Sequence, residues 1–339
     1  MATREDVLAC YRYIFGREPE SETALNAHVF DGESLDQLRA RFFGSEEFLQ
    51  KTRISMHRPP RPLPYVVPPL KVEDRASPEV LRRLMEKTAA YWTAIGVQAP
   101  HWSVLTSEIY RPERIEGTKE HFYNTGRDDL NLIRACLRRA RVPLDSVGTV
   151  LEYGCGVGRV TLHLARKFPR VIACDISRPH LDLAAAHLTE VGAPAAQYEH
   201  LGPDRLHPDV RCDLWFSRIV LQHNPPPVIA AILQRAFASL NPGGTAVFQV
   251  PTYRVDYAFR TEEYLAGPLG QHMEMHVLPQ PAIFALADAG GCRPVEVRED
   301  TRVVSGDVDK WLSNLFVFRK AGTPVPRPVS GPLSGPVSG

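Results

Sequence analysis

The chain has 339 residues, of which 44% are hydrophobic and 23% are charged, a composition typical of a soluble globular protein with one ordinary domain and room for a small second one. Its formal net charge is +1, so no overall electrostatic field draws it to nucleic acid, and we expect no nucleic-acid partner. The sequence has no apolar run of roughly 20 residues, no signal peptide and no Cys-x-x-Cys pair, so we expect a cytoplasmic protein without a membrane span, with reduced thiols.

Residues 1–55 predict a small all-helical accessory domain. Val7, Leu8 and Tyr11 begin an apolar face at helical spacing. Ser34 and Gln37 fit a capping box that opens a helix over 35–43. Residues 56–75 follow as a Pro-rich linker, because six prolines between positions 57 and 70 favour extended, semi-rigid chain over helix or central strand.

Residues 76–148 predict a helical lead-in to the main domain, with a helix start at Ser77-Pro78-Glu79 and an aromatic-rich stretch before a second helix. From 149 to 320, apolar runs at 149–153, 171–175, 213–220 and 245–250 predict buried parallel strands. Helical segments at 179–191 and 228–240 alternate with them, which indicates a Rossmann-like, doubly wound α/β sheet. The runs 294–299 and 311–319 predict a hairpin, and residues 321–339 a disordered tail.

The run VLEYGCGVGR at 150–159 carries the strongest chemical signal. Glycines at 154, 156 and 158 let the backbone turn tightly and approach a ligand closely. Glu152 stands at the strand end, where an acid suits a cationic ligand better than a pyrophosphate. Asp175 lies 21 residues after Gly154, at the tip of the next strand, where a carboxylate can accept both hydroxyls of a ribose. A simple strand-to-helix turn and a dinucleotide site are the alternatives, and the G-x-G-x-G spacing with both acids argues against them.

These pieces, with ACDIS, DLWFSRIVLQH and LNPGGTAVFQVP further along, resemble the class I methyltransferases that use S-adenosylmethionine (SAM), in their bacterial small-molecule and sugar branch. The resemblance covers about residues 120–319. It implies a seven-stranded sheet with a reversed last strand, and SAM as the cofactor over the carboxyl ends of the strands. It also implies that the stretch 120–126 covers the cofactor, with ordinary aromatic packing as the alternative.

By that resemblance the three glycines pack under the methionine part of SAM, Glu152 supports its amino group and Asp175 holds its ribose. Leu201 and Gly202 would flank the adenine. The complete predicted cofactor set is Glu152, Gly154, Cys155, Gly156, Gly158, Asp175, Ile176, Leu201, Gly202, Ser217 and Tyr123.

Methyl transfer to an alcohol needs a base, whereas transfer to an amine needs only its neutral form. His223, which follows the fourth strand, is the first candidate base, and a loop-bonding or helix-capping histidine is the alternative. The alternating run 271–278 predicts a strand with His272, Glu274 and His276 on one face. That face would line the acceptor pocket or simply meet solvent, and we expect no metal site there.

Residues of about 5–50, through their GREP and SEEF pieces, resemble a small helical domain found in bacterial surface-polysaccharide proteins. The association implies a sugar acceptor and a protein partner bound through residues 1–55, and a generic helical docking piece is the alternative. The sequence therefore predicts SAM-dependent O-methylation of a sugar or other small hydroxylated metabolite. N-methylation of a small amine or amino sugar, and a non-catalytic SAM-binding scaffold, remain the alternatives.

Overall fold

The computed structural model describes residues 2–29, 32–45, 47–48, 68–268, 273–300 and 311–322. The chain divides into two compact units, residues 1–64 and 65–339. His272, residues 56–67 of the predicted linker and residues 323–339 of the predicted disordered tail lie outside the described residues.

The first unit is helical throughout the part that the structure describes. Its helices are α1 (Arg4–Cys10), which continues as a π-helical turn (Tyr11–Phe15), α2 (Glu22–Asn26) and α3 (Leu35–Phe43). The predicted capping box opens α3: Ser34 Oγ accepts the Gln37 N–H, and Gln37 Oε1 accepts the Ser34 N–H. The apolar faces of these helices pack together, and their burial stabilises the unit. The core consists of Val7, Cys10, Tyr11, Phe15, Leu25, Leu38 and Phe42.

A seven-stranded sheet forms the centre of the second unit. Its strands are β2 (Thr149–Tyr153), β3 (Arg170–Asp175), β4 (Gln197–His200), β5 (Cys212–Ser217), β6 (Leu240–Arg254), β8 (Cys292–Glu299) and β9 (Trp311–Lys320). Across the sheet they follow the order β4-β3-β2-β5-β6-β9-β8. β9 runs antiparallel to both of its neighbours, β6 and β8, whereas the other neighbouring pairs are parallel. The predicted Rossmann-like sheet with a reversed last strand is confirmed. A separate two-residue pair joins β1 (Lys71–Val72) to β7 (Ala258–Phe259).

Helices cover both faces of the sheet. They are α4 (Pro78–Gln98), α5 (Pro100–Val104), α6 (Lys119–Asn124), α7 (Gly126–Arg139), α8 (Thr161–Lys167), α9 (Arg178–Glu190), α10 (Pro226–Ser239), α11 (Thr261–Ala266) and α12 (Gln280–Ala289). Single 3-10 turns occur at Glu108–Tyr110, Ile115–Gly117, Leu144–Ser146 and Leu221–His223. In β5, Trp215 packs into one core cluster while Leu214 and Phe216 pack into another, as the two-residue period of a strand requires.

One predicted strand is wrong. Residues 273–279 form no strand, because their backbone bonds go singly to two different segments rather than to one partner. The N–H of His276 donates to Gln222 O, and the N–H of Leu278 donates to Pro251 O. All six cysteines are buried and unpaired. Within the described ranges, no helix combines the length and apolar character that crossing a bilayer requires.

Candidate active site and cofactor pocket

A cavity lies where β2, β3 and β5 end. Because these parallel strands all point their carboxyl ends to the same edge, the loops that follow them converge there, as in other open α/β sheets. The cavity is lined by Met85, Thr88, Trp92, Ser103, Val104, Glu152, Tyr153, Gly154, Cys155, Gly156, Arg159, Val160, Asp175, Ile176, His180, Leu201, Phe216, Ser217, Arg218, Ile219, Val220, His223 and Asn224.

The glycine loop after β2 forms one wall of this cavity. Gly154 has φ +77° and Gly156 has φ +53°, in the left-handed region that glycine adopts without strain. A Cβ on Gly154 would collide with Val220, and one on Gly156 would lie 2.6 Å from Val104 Cγ2. Because glycine has no Cβ, the backbone at both positions can lie against Val220 and Val104 and still border the cavity.

Glu152 presents a buried carboxyl group to the cavity. Its residue surface is only 4% exposed, and its Oε2 accepts a 2.7 Å hydrogen bond from Thr161 Oγ1. Desolvation raises the pKa of Glu152 to about 8, although that hydrogen bond acts in the opposite direction. A cationic group bound beside Glu152 would favour its ionised form.

Asp175 ties the second strand to the glycine loop. Its Oδ2 accepts the N–H of Gly156 at 2.8 Å, and its Oδ1 accepts the N–H of Ser177 at 2.9 Å. The Ser177 hydroxyl, at the N-cap position of α9, makes no capping hydrogen bond to that helix. Each carboxylate oxygen offers a further lone pair, which suits a pair of vicinal hydroxyls.

Most of the predicted cofactor set meets at this cavity. Its lining includes Glu152, Gly154, Cys155, Gly156, Asp175, Ile176, Leu201 and Ser217. Gly158 lies behind it, because a Cβ there would be 3.0 Å from the Cβ of Ala184 in α9. Gly202 bridges to Arg205 just beyond Leu201 and does not line the cavity.

Residues 120–126, which the resemblance implies as a cover over the cofactor, do not contribute to the cavity lining. Tyr123 does not line the cavity: its hydroxyl donates to Val157 O at 3.2 Å, and its ring stacks on His187 with centroids 3.5 Å apart. The stretch 120–126 therefore packs behind the glycine loop, which was the alternative interpretation of its aromatic residues.

The cavity is instead covered by α4 and α5, which sequence reasoning missed. They contribute Met85, Thr88, Trp92, Ser103 and Val104. A sequence clue to this packing was Gly96, a glycine inside a helical pattern. A Cβ at this position would collide with Ser177 Oγ at the N-cap of α9, so the glycine lets α4 lie close to α9. Ser103 Oγ and His180 Nε2, 2.9 Å apart, fasten α5 to α9.

Two arginines of the lining share a buried aspartate, which sequence reasoning also missed. Asp129, 2% exposed, accepts from Arg159 at 2.6 Å and from Arg218 at 2.8 Å. Arg218 also pairs with Asp300 at 3.2 Å. The four charges sum to zero, so this wall holds the loops after β2 and β5 together without a net charge.

His223 lines the cavity at the end of the 3-10 turn after β5. Its Nδ1 and the carbonyl oxygen of Glu274 are 2.8 Å apart, so Nδ1 carries the proton and Nε2 keeps a lone pair. That lone pair is 3.3 Å from the side-chain amide of Gln222, a long contact that a hydroxyl could replace. Burial lowers the pKa of His223 to about 4, so the imidazole is neutral at physiological pH.

His276 lies near His223 but does not line this cavity. Its Nδ1 is 2.9 Å from Tyr257 Oη, and its Nε2 is 3.3 Å from Glu274 Oε2. Glu274 and His276 thus come together as the alternation suggested, although through an irregular loop rather than a strand.

Comparison with known proteins agrees with this geometry. A family described as a methyltransferase domain matches residues 150–244. The chain is 29% identical to ubiquinone biosynthesis O-methyltransferase of Paramagnetospirillum magneticum, over 63% of this chain and 82% of that protein. It is 31% identical to trans-aconitate 2-methyltransferase of Variovorax paradoxus, over 42% of this chain and 56% of that protein.

The chain is a SAM-dependent methyltransferase. It also resembles magnesium protoporphyrin IX methyltransferase from Synechocystis PCC 6803, solved with bound SAH, with 15% identity, a TM-score of 0.48, and coverage of 70% of this chain and 100% of that one. The chain spans about half the length of the trans-aconitate methyltransferases that it matches, from 41% to 59%. The acceptors in these names belong to those relatives.

The methyltransferase cavity fits SAM on two observations. The buried Glu152 carboxyl stands where a cation would lower its raised pKa, and SAM carries an ammonium and a sulfonium. Asp175 can accept the two ribose hydroxyls while it still holds the glycine loop.

Proposed function

We propose that this methyltransferase acts on a hydroxyl oxygen of a small acceptor, and that a sugar is the acceptor. The supporting observation is the position of His223, which lines the cofactor cavity and also a smaller adjoining cavity. A group at that junction can meet an acceptor on one side and the cofactor on the other. The proximity and alignment of the two reactants would supply much of the rate acceleration.

Glu152, the glycine loop and Asp175 would hold the cofactor, as the resemblance implies. When bound, SAM supplies an electrophilic methyl group, which passes to the acceptor oxygen as the carbon–sulfur bond breaks and SAH is left. His223 Nε2 would accept the proton that the hydroxyl loses, and its Nδ1–H bond to the Glu274 carbonyl fixes the required tautomer. Trp92 and the cover helices would exclude water from the reaction.

N-methylation of a small amine or amino sugar is the second candidate, favoured by one observation. Hydrogen bonds from His276 and Tyr264 lower the pKa of Glu274, which keeps a carboxylate on the wall of the smaller cavity. A carboxylate can hold an ammonium. The two candidates differ in their need for a base, since an amine attacks through its neutral form without one.

The test is SAH formation by wild type and His223→Gln with methyl glycosides, and separately with amino sugars, at matched SAM saturation. O-methylation predicts that His223→Gln loses turnover while SAH binding is kept. Turnover of amino sugars alone, unaffected by the substitution, would favour N-methylation. Binding of SAH without turnover of any acceptor would favour the non-catalytic scaffold.

We also propose that residues 1–55 bind a protein partner in the cytoplasm, within surface-polysaccharide assembly. The supporting observations are that this unit has a core of its own and that Tyr13 and Phe43 are exposed, by 89% and 44%. Deletion of residues 1–55 should leave SAH affinity and turnover unchanged and abolish function in cells. A deletion that removes catalysis would instead assign the unit to the enzyme itself.

A further inference from the structure

A buried chain of hydrogen-bonded amides leads to His223. It begins at the backbone N–H of Ile219, in the loop after β5, which donates a 2.9 Å hydrogen bond to Oε1 of Gln249 in β6. The amide nitrogen of Gln249 donates to Gln222 Oε1 at 3.0 Å and to Ser313 Oγ at 2.7 Å. The amide nitrogen of Gln222 lies 3.3 Å from Nε2 of His223, where the chain ends.

The direction of this chain is set at Ile219. A backbone N–H can only donate, so the side-chain atom of Gln249 beside it must be the oxygen. The nitrogen of Gln249 then faces Gln222, which must present its own oxygen there and its nitrogen to His223. Gln249 is fully buried and Gln222 is 2% exposed, so an amide turned the other way would leave donors facing donors without water to compensate.

Ile219 has an unusual backbone conformation for its residue type. Its φ is +60°, in the left-handed region that a β-branched residue adopts only under strain. Ile219 also lines the cofactor cavity, and its hydrogen bond to Gln249 fixes the direction of its N–H. Strained backbone persists only where its surroundings hold it. Gln249 therefore has two connected effects, because it holds this loop and it orients Gln222.

The two ring nitrogens of His223 meet opposite kinds of partner. Nδ1 lies 2.8 Å from the carbonyl oxygen of Glu274, which can only accept, whereas Nε2 faces the amide donor of Gln222. Both partners favour the same neutral tautomer, with the proton on Nδ1. The segment that carries Glu274 is attached to the same turn, because the His276 N–H donates to the Gln222 carbonyl oxygen at 2.7 Å.

Titratable side chains from three elements also surround His223. They are Glu274 and His276 from the segment 273–279, Lys87 and Tyr91 from α4, and Tyr264 from α11. Within the part of the chain that the structure describes, none of these side chains makes a hydrogen bond to a ring nitrogen of His223. The hydrogen bonds that distinguish the two nitrogens therefore come from the amide of Gln222 and from a backbone carbonyl.

We propose that Gln249 is a positioning residue for methyl transfer: through Gln222, it keeps Nε2 of His223 unprotonated and available as the proton acceptor. This inference rests on the proposed role of His223 as the base. An acceptor hydroxyl would replace the long contact between Gln222 and Nε2. As the methyl group leaves SAM for the hydroxyl oxygen, the hydroxyl proton would pass to Nε2, and the amides would neither gain nor lose a proton.

The experiment uses the full-length protein with SAH bound and with ¹⁵N-labelled histidines, whose chemical shifts report which ring nitrogens carry protons. The chain has 12 histidines, and the signals that disappear in His223→Gln identify His223. The variants are Gln222→Glu and Gln249→Met. Gln234→Glu and Gln234→Met, at an exposed position of α10, are the chemically matched controls. Thr252→Val, which removes a different buried hydrogen bond of β6, controls for lost stability.

In wild type at neutral pH, we expect a proton on Nδ1 of His223 and none on Nε2. Gln222→Glu still accepts from Gln249 but presents a carboxylate to Nε2, so both ring nitrogens should be protonated. The kcat for a hydroxyl acceptor should fall at least about tenfold at neutral pH and recover as the pH rises, because His223 must lose that proton before it can act as a base. The affinity for SAH should stay within about twofold of wild type, because the Gln249–Ile219 hydrogen bond is kept.

Gln249→Met should let the Gln222 amide turn over, so that part of the His223 population carries its proton on Nε2. The kcat should fall about tenfold, the effect of losing one oriented hydrogen bond, with a smaller change in the KM for the acceptor. Thr252→Val should lower the stability of the fold and leave both the ring shifts and kcat at their wild-type values. That contrast separates positioning from a general folding defect.

Two results would overturn the inference: a wild-type His223 that carries its proton on Nε2, or ring shifts that neither Gln222→Glu nor Gln249→Met changes. If Gln249→Met does not fold, Gln222→Glu alone decides, because it keeps the hydrogen bond that Gln249 makes to Ile219. Full turnover by His223→Gln would instead contradict the proposed function. The ring shifts distinguish these failures, because they are measured without an acceptor.

Discussion

The backbone N–H of Gly156 donates a 2.8 Å hydrogen bond to Oδ2 of Asp175. The glycine loop and the predicted ribose acid are therefore one unit, although they follow different strands. The other oxygen of Asp175 holds Ser177 at the start of α9. A change at Asp175 should thus disturb the shape of the loop as well as the ribose contact.

Asp175→Ala should weaken SAM binding by about 2 kcal/mol, or about thirtyfold, because the ribose hydroxyls and the Gly156 N–H both lose an acceptor. Asp175→Asn keeps one oxygen and should fall between wild type and the alanine variant. Calorimetric titration of SAM measures both. Asp182→Ala, on the exposed face of α9, is the control. An alanine variant with wild-type affinity would remove Asp175 from the cofactor site.

The affinity for SAM should rise with pH up to about 8 and level off above it. In the free protein Glu152 has a pKa raised to about 8, so below that pH it is mostly protonated. A bound ammonium favours the carboxylate, so binding must release a proton, and affinity can change by up to about tenfold per pH unit. Calorimetry in two buffers of different ionisation enthalpy measures the proton release. Glu152→Gln should flatten the profile, whereas affinity that falls with rising pH in wild type would contradict the assignment.

His223→Ala should lower kcat for a hydroxyl acceptor by about 10²–10⁴-fold, the usual contribution of a general base, and keep SAH binding. Because burial lowers the pKa of His223 to about 4, its protonation should not reduce activity above about pH 5. The pH profile of kcat and the SAH affinity test both points. His121→Ala, at an exposed position on α6, is the control. Undiminished kcat in His223→Ala would leave the histidine a structural role only.

Gly156→Ala should destabilise the fold more than Gly192→Ala. Both glycines have left-handed backbones, with φ +53° and +58°, but only Gly156 also meets a neighbour, Val104, at 2.6 Å. Gly192→Ala should lower the free energy of unfolding by about 1 kcal/mol, the cost of the backbone conformation alone. Urea unfolding of both variants, and of Gly156→Ala combined with Val104→Ala, measures how much of the lost free energy of unfolding comes from the clash with Val104. No recovery in the double variant would show that backbone strain is the whole effect.

Asp129→Asn should lower the free energy of unfolding by about 3 kcal/mol, because Arg159 and Arg218 would share a buried site without their common anion. The exposed neighbour Asp128 supplies a matched control in Asp128→Asn. Denaturant unfolding measures both. Equal stabilities for the two variants would mean that the buried charges rearrange without cost.

The sheet and the cofactor pocket could be predicted because their signals are local. The apolar run at 149–153 coincides with β2, and the predicted helix 179–191 differs from α9 by one residue at each end. Glycines and acids at strand ends then meet at one sheet edge as a matter of topology. The cofactor residues Glu152, Gly156 and Asp175 needed no knowledge of distant packing.

The cover and the acceptor side could not be predicted, because they depend on contacts between distant segments. Trp92 reaches the cavity only because Gly96 lets α4 pack closely against α9. Residues 273–279 alternate like a strand, yet two different segments take their backbone bonds. Lys87 meets the end of α11 across 177 residues of sequence, and no periodicity encodes such a pairing.

The reversed strand has a consequence for synthesis of the protein. β9 is the last strand among the described residues, yet it lies between β6 and β8 and fills the sheet with Leu315, Phe316 and Val317. As long as Trp311–Lys320 remain inside the ribosome during synthesis, β6 has an unpaired edge and β8 lacks its partner strand. Open edges of this kind invite pairing with other chains. Translation that stops before Trp311 should therefore yield an aggregating product rather than a shortened enzyme.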